Sequence, residues 1–161
     1  MGQQQERNLN ALLKTYPQFK RIGVFKREKW KPTGKQGRTP VNRDFHLVFV
    51  PDNDACAELS KIRGVYILKH STFDFYVGHA GAYDAPTDGW DQRHKRYKGG
   101  LGQEKVDTNK KIAEHAFTSE FEVFYFANPT AMIGDREIYV GEAVETDCIV
   151  TFDPIFNDRN F

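Results

Sequence analysis

The sequence predicts an α+β fold in which helices flank a small, mostly antiparallel central sheet, with an N-terminal helix and strand and a basic arm ahead of it. Three observations carry this expectation. Short apolar segments at 45–50, 64–69, 73–78 and 121–127 have the length and composition of strands. Longer segments between them have helical apolar spacing and end signals. Two of the strands lie so close in sequence that they form a hairpin at the centre of the chain, and such a mixture favours helices packed on an antiparallel sheet.

Taken in order, residues 4–16 predict a first helix, with Leu9, Leu12 and Leu13 on one side and Pro17 beyond its end. Residues 19–26 alternate weakly and predict a strand. The segment 28–42 contains Lys-Trp-Lys-Pro-Thr-Gly-Lys-Gln-Gly-Arg-Thr-Pro, which breaks any regular element and predicts a loop or arm. After the strand at 45–50, Asp52 or Asn53 caps a short helix reaching Ile62. The hairpin follows, with a three-residue loop that would set Tyr66 opposite Tyr76. A loop at 79–89, a helix at 89–98 capped by Asp88, and a helix at 107–117 come next. The strand at 121–127 then leads through Asn128-Pro129-Thr130 into a longer helix ending near Val150, closed by Pro154.

Composition narrows the function classes. A chain of 161 residues suits one domain with a buried core. With 28% charged and 14% aromatic residues it reads as globular, not disordered. It has no run of 18 apolar residues and its start is polar, which predicts neither a membrane span nor a secretory signal, and a cytoplasmic location. Cys56 and Cys148, the only cysteines, lack metal-type spacing and suit a reducing compartment. The net charge of +1 conceals an asymmetry. Residues 20–43 hold nine Lys or Arg against Glu28, whereas 118–158 hold nine acids against Arg136. A polyanion-binding face beside a carboxylate-bearing one fits this division, as do two solvated surfaces.

The arm at 28–43 offers Lys29, Lys31, Lys35, Arg38 and Arg43 for phosphate contact, since each cation near DNA releases condensed counterions. Trp30 among them can stack on a base or wedge a base step, or pack back on the core from a surface loop. Lys95 and Arg96 add to the basic field farther along. Arg93 and Tyr97, four apart, share a helix face, and a guanidinium fork suits phosphate. The five histidines show no metal-type pairing; His79 stands apart from them because it follows a strand end. On the last helix are Glu137, Glu142, Glu145 and Asp147. Glu145 has Gly141, Cys148 and Ile149 at its helical neighbour positions, an apolar setting that calls for a cation partner or a metal.

Gly64-Val65-Tyr66, Tyr76-Val77-Gly78, Arg93 with Tyr97, Val144-Glu145 with Cys148-Ile149, and finally Pro154 and Asn157 form an ordered series. That series resembles the motifs of the GIY-YIG nuclease superfamily, and the resemblance spans residues 63–157 as a nuclease core, leaving 1–62 as an extension. Asn157, twelve beyond Glu145, favours Glu145 over Glu142 as the family's metal ligand. Two departures stand out: the long interval from Gly78 to Arg93, which reads as an insertion over 79–89, and His79 where many relatives carry a Lys.

The resemblance implies hydrolysis of a double-stranded DNA phosphodiester with one divalent cation, Mg²⁺ or Mn²⁺, held by Glu145. Arg93 would bind the scissile phosphate and Tyr66 would act as the base. A phenol with a reference pKa of about 10 then needs a cation nearby, such as Arg93, the metal, Lys69 or His79. Tyr76 and Tyr97 would position water or phosphate, and Asn157 would orient Glu145 or nearby backbone. Gly64 and Gly78 would permit close backbone approach. Among family classes, a compact chain of this kind is most similar to type II restriction endonucleases, which often act as homodimers on palindromic sites. A phage or mobile-element nuclease of loose or single-strand specificity, and a non-catalytic DNA-binding module, are the alternatives.

Overall fold

The computed structural model describes residues 2–29, 45–82, 84–97, 107–116 and 118–157. Helix α1 (Gly2–Thr15) leads into strands β1 (Lys20–Lys29) and β2 (Phe45–Pro51) and the short helix α2 (Asp54–Leu59). The central hairpin is β3 (Gly64–Lys69) and β4 (Phe75–Ala80). Helix α3 (Trp90–Arg93) tightens into a 3-10 turn at His94–Arg96, and α4 (Asp107–Ala116) precedes β5 (Phe121–Ala127). A small hairpin, β6 (Thr130–Ile133) and β7 (Arg136–Tyr139), then delivers α5 (Gly141–Phe152).

The class is α+β. Five strands form one sheet in the order β2-β1-β5-β3-β4, and every neighbouring pair is antiparallel. The N-terminal segment therefore enters the same sheet as the hairpin, because β1 pairs with β5. Strand β3 lies between β5 and β4 with both faces covered, and alternation divides its side chains. Tyr66 and Leu68 join a core with Phe25, Trp90, Tyr97, Phe121 and Tyr125. Val65 and Ile67 join a second core with Leu9, Leu12, Val77, Val144, Cys148 and Phe152, which packs α1 and α5 on the opposite face.

Several expectations need correction. The helix expected from Thr130 onward is a β-hairpin as far as Tyr139, and α5 begins only at Gly141. The turn at Asp135 and at Gly134, whose φ is 64°, favours chain reversal over helix continuation. Glu137 consequently lies on β7, where it accepts a hydrogen bond from the Thr130 hydroxyl (2.7 Å) and is absent from the last helix. The central hairpin pairs Tyr66 with Gly78 and Leu68 with Tyr76, two residues away from the expected register. Its loop is five residues, 70–74, in place of the expected three, and is closed by His70 N donating to Asp74 O at 2.8 Å. Because the shift is even, Tyr66 and Tyr76 still share a face, with ring centroids 6.0 Å apart.

Strand β1 runs on to Lys29, past the expected end at Lys26, since Glu28 and Lys29 still pair with His46 and Phe45. Asn53, not Asp52, caps α2, its side chain accepting from Cys56 N at 2.9 Å. The helix expected over 89–98 is far shorter, and Gly89 precedes it in place of the expected Asp88 cap. His79 belongs to β4, so the following loop begins at Gly81, whose φ of 87° turns the chain away from the sheet. Of the proposed arm, Trp30, Lys31, Lys35, Arg38 and Arg43 lie outside the described residues. No helix among the described residues is long and apolar enough to cross a membrane.

Candidate active site

β4 is an edge strand, so groups from the two sheet faces can meet around it. On one face, Tyr66 projects from β3 beneath Trp90, with ring centroids 4.6 Å apart. Its hydroxyl lies 2.8 Å from that of Tyr97 and receives a hydrogen bond from Arg93 Nε at 3.4 Å. The α-helix ends at Arg93, but the 3-10 turn that follows still carries Tyr97 to the same phenol. Tyr66 and Tyr97 are 0% and 2% exposed, so this hydroxyl pair is sealed from solvent.

Tyr76 is half-buried beside them. Burial first, and then the neighbouring Tyr66, push its pKa well above that of a free phenol, against the downward pull of Tyr97 and Arg93. Burial likewise raises the pKa of Tyr97. Gly78 makes room for this cluster: a Cβ there would collide with the Tyr66 phenol. At Gly64 the neighbour is different, since a Cβ would strike the Phe126 carbonyl and crowd Tyr125.

Glu145 comes from α5 on the other face. Its carboxyl is half-buried, and burial pushes its pKa up to about 7, with Glu142 adding to the rise and Arg93 opposing it. Glu145 also acts on Tyr76 and Tyr139, which places its charge in the same field as the phenols. Among the described residues no hydrogen bond reaches this carboxylate, while the neighbouring Asp147 accepts from Tyr16 and from Thr151. A half-buried carboxylate that receives no hydrogen bond among the described residues fits a hard divalent cation. Among the described residues no group of three or more His, Cys, Asp or Glu can hold a metal together. A single carboxylate nonetheless suits Mg²⁺, which retains most of its water ligands.

Asn157 does not touch Glu145. Its side-chain amide accepts from Val77 N and donates to Val77 O, both at 2.8 Å, and so occupies the outer edge of β4 in the manner of an additional strand. Phe156 N adds a bond to Phe75 O at 3.2 Å. Lys69 also lies elsewhere. It points to the face away from Tyr66, where its Nζ pairs with Glu122 at 3.1 Å and sits over the Phe73 ring. Lys95 is exposed and bonds Gln92 at 3.3 Å. Lys29 ends β1 and Arg96 ends the 3-10 turn, but their side chains lie outside the described residues.

His79 lines a cleft of about 440 Å³ together with Arg93, Gln92, Asp88 and the small residues Gly81, Ala82, Ala85 and Gly89. The loop after β4 forms one wall and is tied down by Arg63 N donating to Pro86 O at 3.1 Å and by Arg63 Nη1 donating to Ala82 O at 3.3 Å. His79 Nε2 lies 2.6 Å from the Tyr139 hydroxyl, and the Arg63 guanidinium stacks 3.8 Å from the centre of the Tyr139 ring. Neither Arg63, Trp90 nor Tyr139 had a motif to mark it in sequence. Only Arg63 offered a signal, as a cation immediately before Gly64.

No protein-family model matches the chain, and neither a curated protein nor a solved structure matches it.

Proposed function

We propose that the chain is a metal-dependent endonuclease of GIY-YIG type that hydrolyses phosphodiester bonds of double-stranded DNA. Within that class we propose a type II restriction endonuclease acting as a homodimer at palindromic sites. The observation that carries the reading is the convergence of Arg93, Tyr66, Tyr76 and Tyr97 with the field of Glu145 around the edge strand β4. These residues are distant in sequence, and they are the ones whose order resembles the family motifs.

Arg93 is the group for the scissile phosphate. It lines the open cleft, it remains charged at any working pH, and its Nε is anchored on Tyr66 so that the rest of the fork can face substrate. A fixed cation of this kind stabilises the charge that accumulates on the phosphoryl oxygens in the transition state. Tyr76, whose phenol keeps its proton, acts as a donor that orients phosphate or water. Tyr97 and Trp90 hold Tyr66 in place. Asn157 holds the backbone of β4, and with it Tyr76 and His79. Glu145 would hold Mg²⁺ or Mn²⁺, which when bound draws charge off the phosphate and stabilises the leaving 3′-oxygen.

Supercoiled plasmid with Mg²⁺ tests the reading. The wild-type chain is expected to nick or linearise it, and Glu145→Ala to lose that activity while retaining its circular dichroism. Equal cleavage by both would refute the assignment. Fragments with fixed end sequences support restriction, whereas a continuous smear supports a nuclease of loose specificity.

A further inference from the structure

We propose that His79 is the proton acceptor for the attacking water, in place of a tyrosine; the proposal rests on the nuclease reading above. Tyr66 is poorly suited to that step in this structure. It is 0% exposed, and its hydroxyl is taken by Tyr97 and by Arg93 Nε. A base must reach the proton that it removes, directly or through one water. Tyr97 is sealed in the same way, and Tyr76 holds its proton tightly.

His79 differs on each count. It is half-exposed on the edge strand and lines the open cleft together with Arg93, the proposed phosphate-binding group. One ring nitrogen, Nε2, is anchored on the Tyr139 hydroxyl at 2.6 Å. The other, Nδ1, makes no hydrogen bond among the described residues and is not among the buried polar atoms left without a partner. An imidazole with one nitrogen oriented by a partner and the other open is the arrangement that general bases use. With Nε2–H donating to Tyr139 O, the lone pair of Nδ1 is available.

The surroundings favour the neutral ring. The groups facing His79 are Tyr139 from β7, Glu142 from α5, Arg93 from α3 and Arg63 from the segment before β3. Burial lowers its pKa below the usual histidine value, the two arginines lower it further, and Glu142 opposes them. The pair also has dedicated space. A Cβ at Gly141 would collide with the Tyr139 hydroxyl and stand 2.8 Å from His79 Nε2, so glycine as the first residue of α5 leaves the pair its room.

The step balances without a further reactant. The water oxygen bonds to phosphorus, its proton passes to Nδ1, and the bond from phosphorus to the 3′-oxygen breaks. The 3′-oxygen takes a proton from solvent, and the imidazolium returns its proton to solvent. The products are a 5′-phosphate and a 3′-hydroxyl.

The test uses the full chain, plasmid DNA and Mg²⁺. His79→Ala is expected to slow cleavage by about 100-fold or more, the usual contribution of a general base. Added imidazole should restore part of the lost rate. His79→Gln, which keeps a donor for Tyr139, should remain folded, remain slow and show no recovery. The acid side of the wild-type pH–rate profile should contain two ionisations, that of Glu145 near pH 7 and that of His79 below pH ~6.5, and the second should vanish in both variants while persisting in Tyr66→Phe. The proposal is overturned if His79→Gln cleaves within about threefold of wild type, if the acid side of its profile is as steep as that of the wild type, or if imidazole fails to rescue His79→Ala. Those outcomes leave the nuclease reading standing. A wild-type chain that cleaves no DNA with any divalent cation removes both.

Discussion

The two faces of the central sheet are built from the same strands by simple alternation, yet their cores differ in kind. Against α1 and α5, Val65, Ile67, Val77 and Phe75 meet Leu9, Leu12, Val144 and Phe152, a cluster whose buried side chains are hydrocarbon apart from the Cys148 sulfur. On the opposite face, Tyr66, Tyr97 and Tyr125 bring hydroxyls into the interior with Trp90. Each of these hydroxyls has an identified partner: Tyr66 with Tyr97 and Arg93, and Tyr125 with the Ile62 carbonyl. Aliphatic packing stabilises without direction, whereas hydrogen-bonded phenols fix the position of a cation. The plain face thus gives rigidity, and the phenolic face converts it into a placed charge at the edge strand.

The widest separation between the faces is expected at Arg93. Arg93→Ala should lower DNA cleavage by about 1,000-fold, on the scale of losing a principal transition-state donor, with the fold retained by circular dichroism. Arg93→Lys should recover little, because an ammonium cannot supply the guanidinium fork. Cleavage at near wild-type rate would show that the phenolic face holds this cation for structure alone.

Leu12→Ala attacks the plain face. Leu12 is fully buried, so the cavity should cost about 3–5 kcal/mol in urea unfolding. At low temperature the folded fraction should cleave normally. A specific-activity loss as large as that of Arg93→Ala would mean that the faces are not separable.

Asn157→Ala tests the seam where they meet. It leaves Val77 N and O, which Asn157 covers at the outer edge of β4, without partners, which should cost about 2–4 kcal/mol. It should also slow cleavage at temperatures where the variant is folded, because β4 carries Tyr76 and His79. Loss of stability with unchanged activity of the folded fraction would confine Asn157 to a structural role.

The smallest effect belongs to acidification. His94 packs against Phe25, Phe49 and Trp90, and its pKa is pushed down to about 4 by burial and by Lys95. Between that value and the unfolded histidine value of about 6.5, the unfolded chain holds the extra proton. Its contribution is therefore complete above pH ~6.5 and is lost as pH falls toward 4, by about 1–2 kcal/mol after discounting for contact with solvent. His94→Phe should flatten the Tm-against-pH curve in that window, and an unchanged slope would assign the dependence to other groups.

Much of this arrangement was legible beforehand, and the misses share a cause. The strand β5 was read at its full extent, because a short, almost unbroken run of aromatic and β-branched residues is a local signal. The β6–β7 hairpin was read as helix. Its exposed strands, with Met132, Ile133 and Ile138 facing solvent, have no buried face to impose a period of two. The hairpin register was misjudged by two because the loop carries no strong turn residue, and Phe73 instead adopts a φ of 68°. Lys69 was expected near the site on proximity in sequence, but three residues along a strand from Tyr66 is an odd step and lands on the opposite face.

What the sequence determined by itself was the set of chemical types and their order: two Gly-Tyr strands, an Arg with a Tyr four residues on, a carboxylate and an amide near the end. Local rules also gave the α+β class, since strand and helix periods are properties of neighbouring residues. The tertiary structure alone decided which of these groups meet. It buried Tyr66 against Tyr97, turned Asn157 from Glu145 to the backbone of Val77, and joined His79 to Tyr139 beside an open cleft. These are contacts between residues as many as 80 positions apart. Their geometry follows from strand order, edge exposure and the close approach allowed at Gly78 and Gly141, none of which a local pattern encodes.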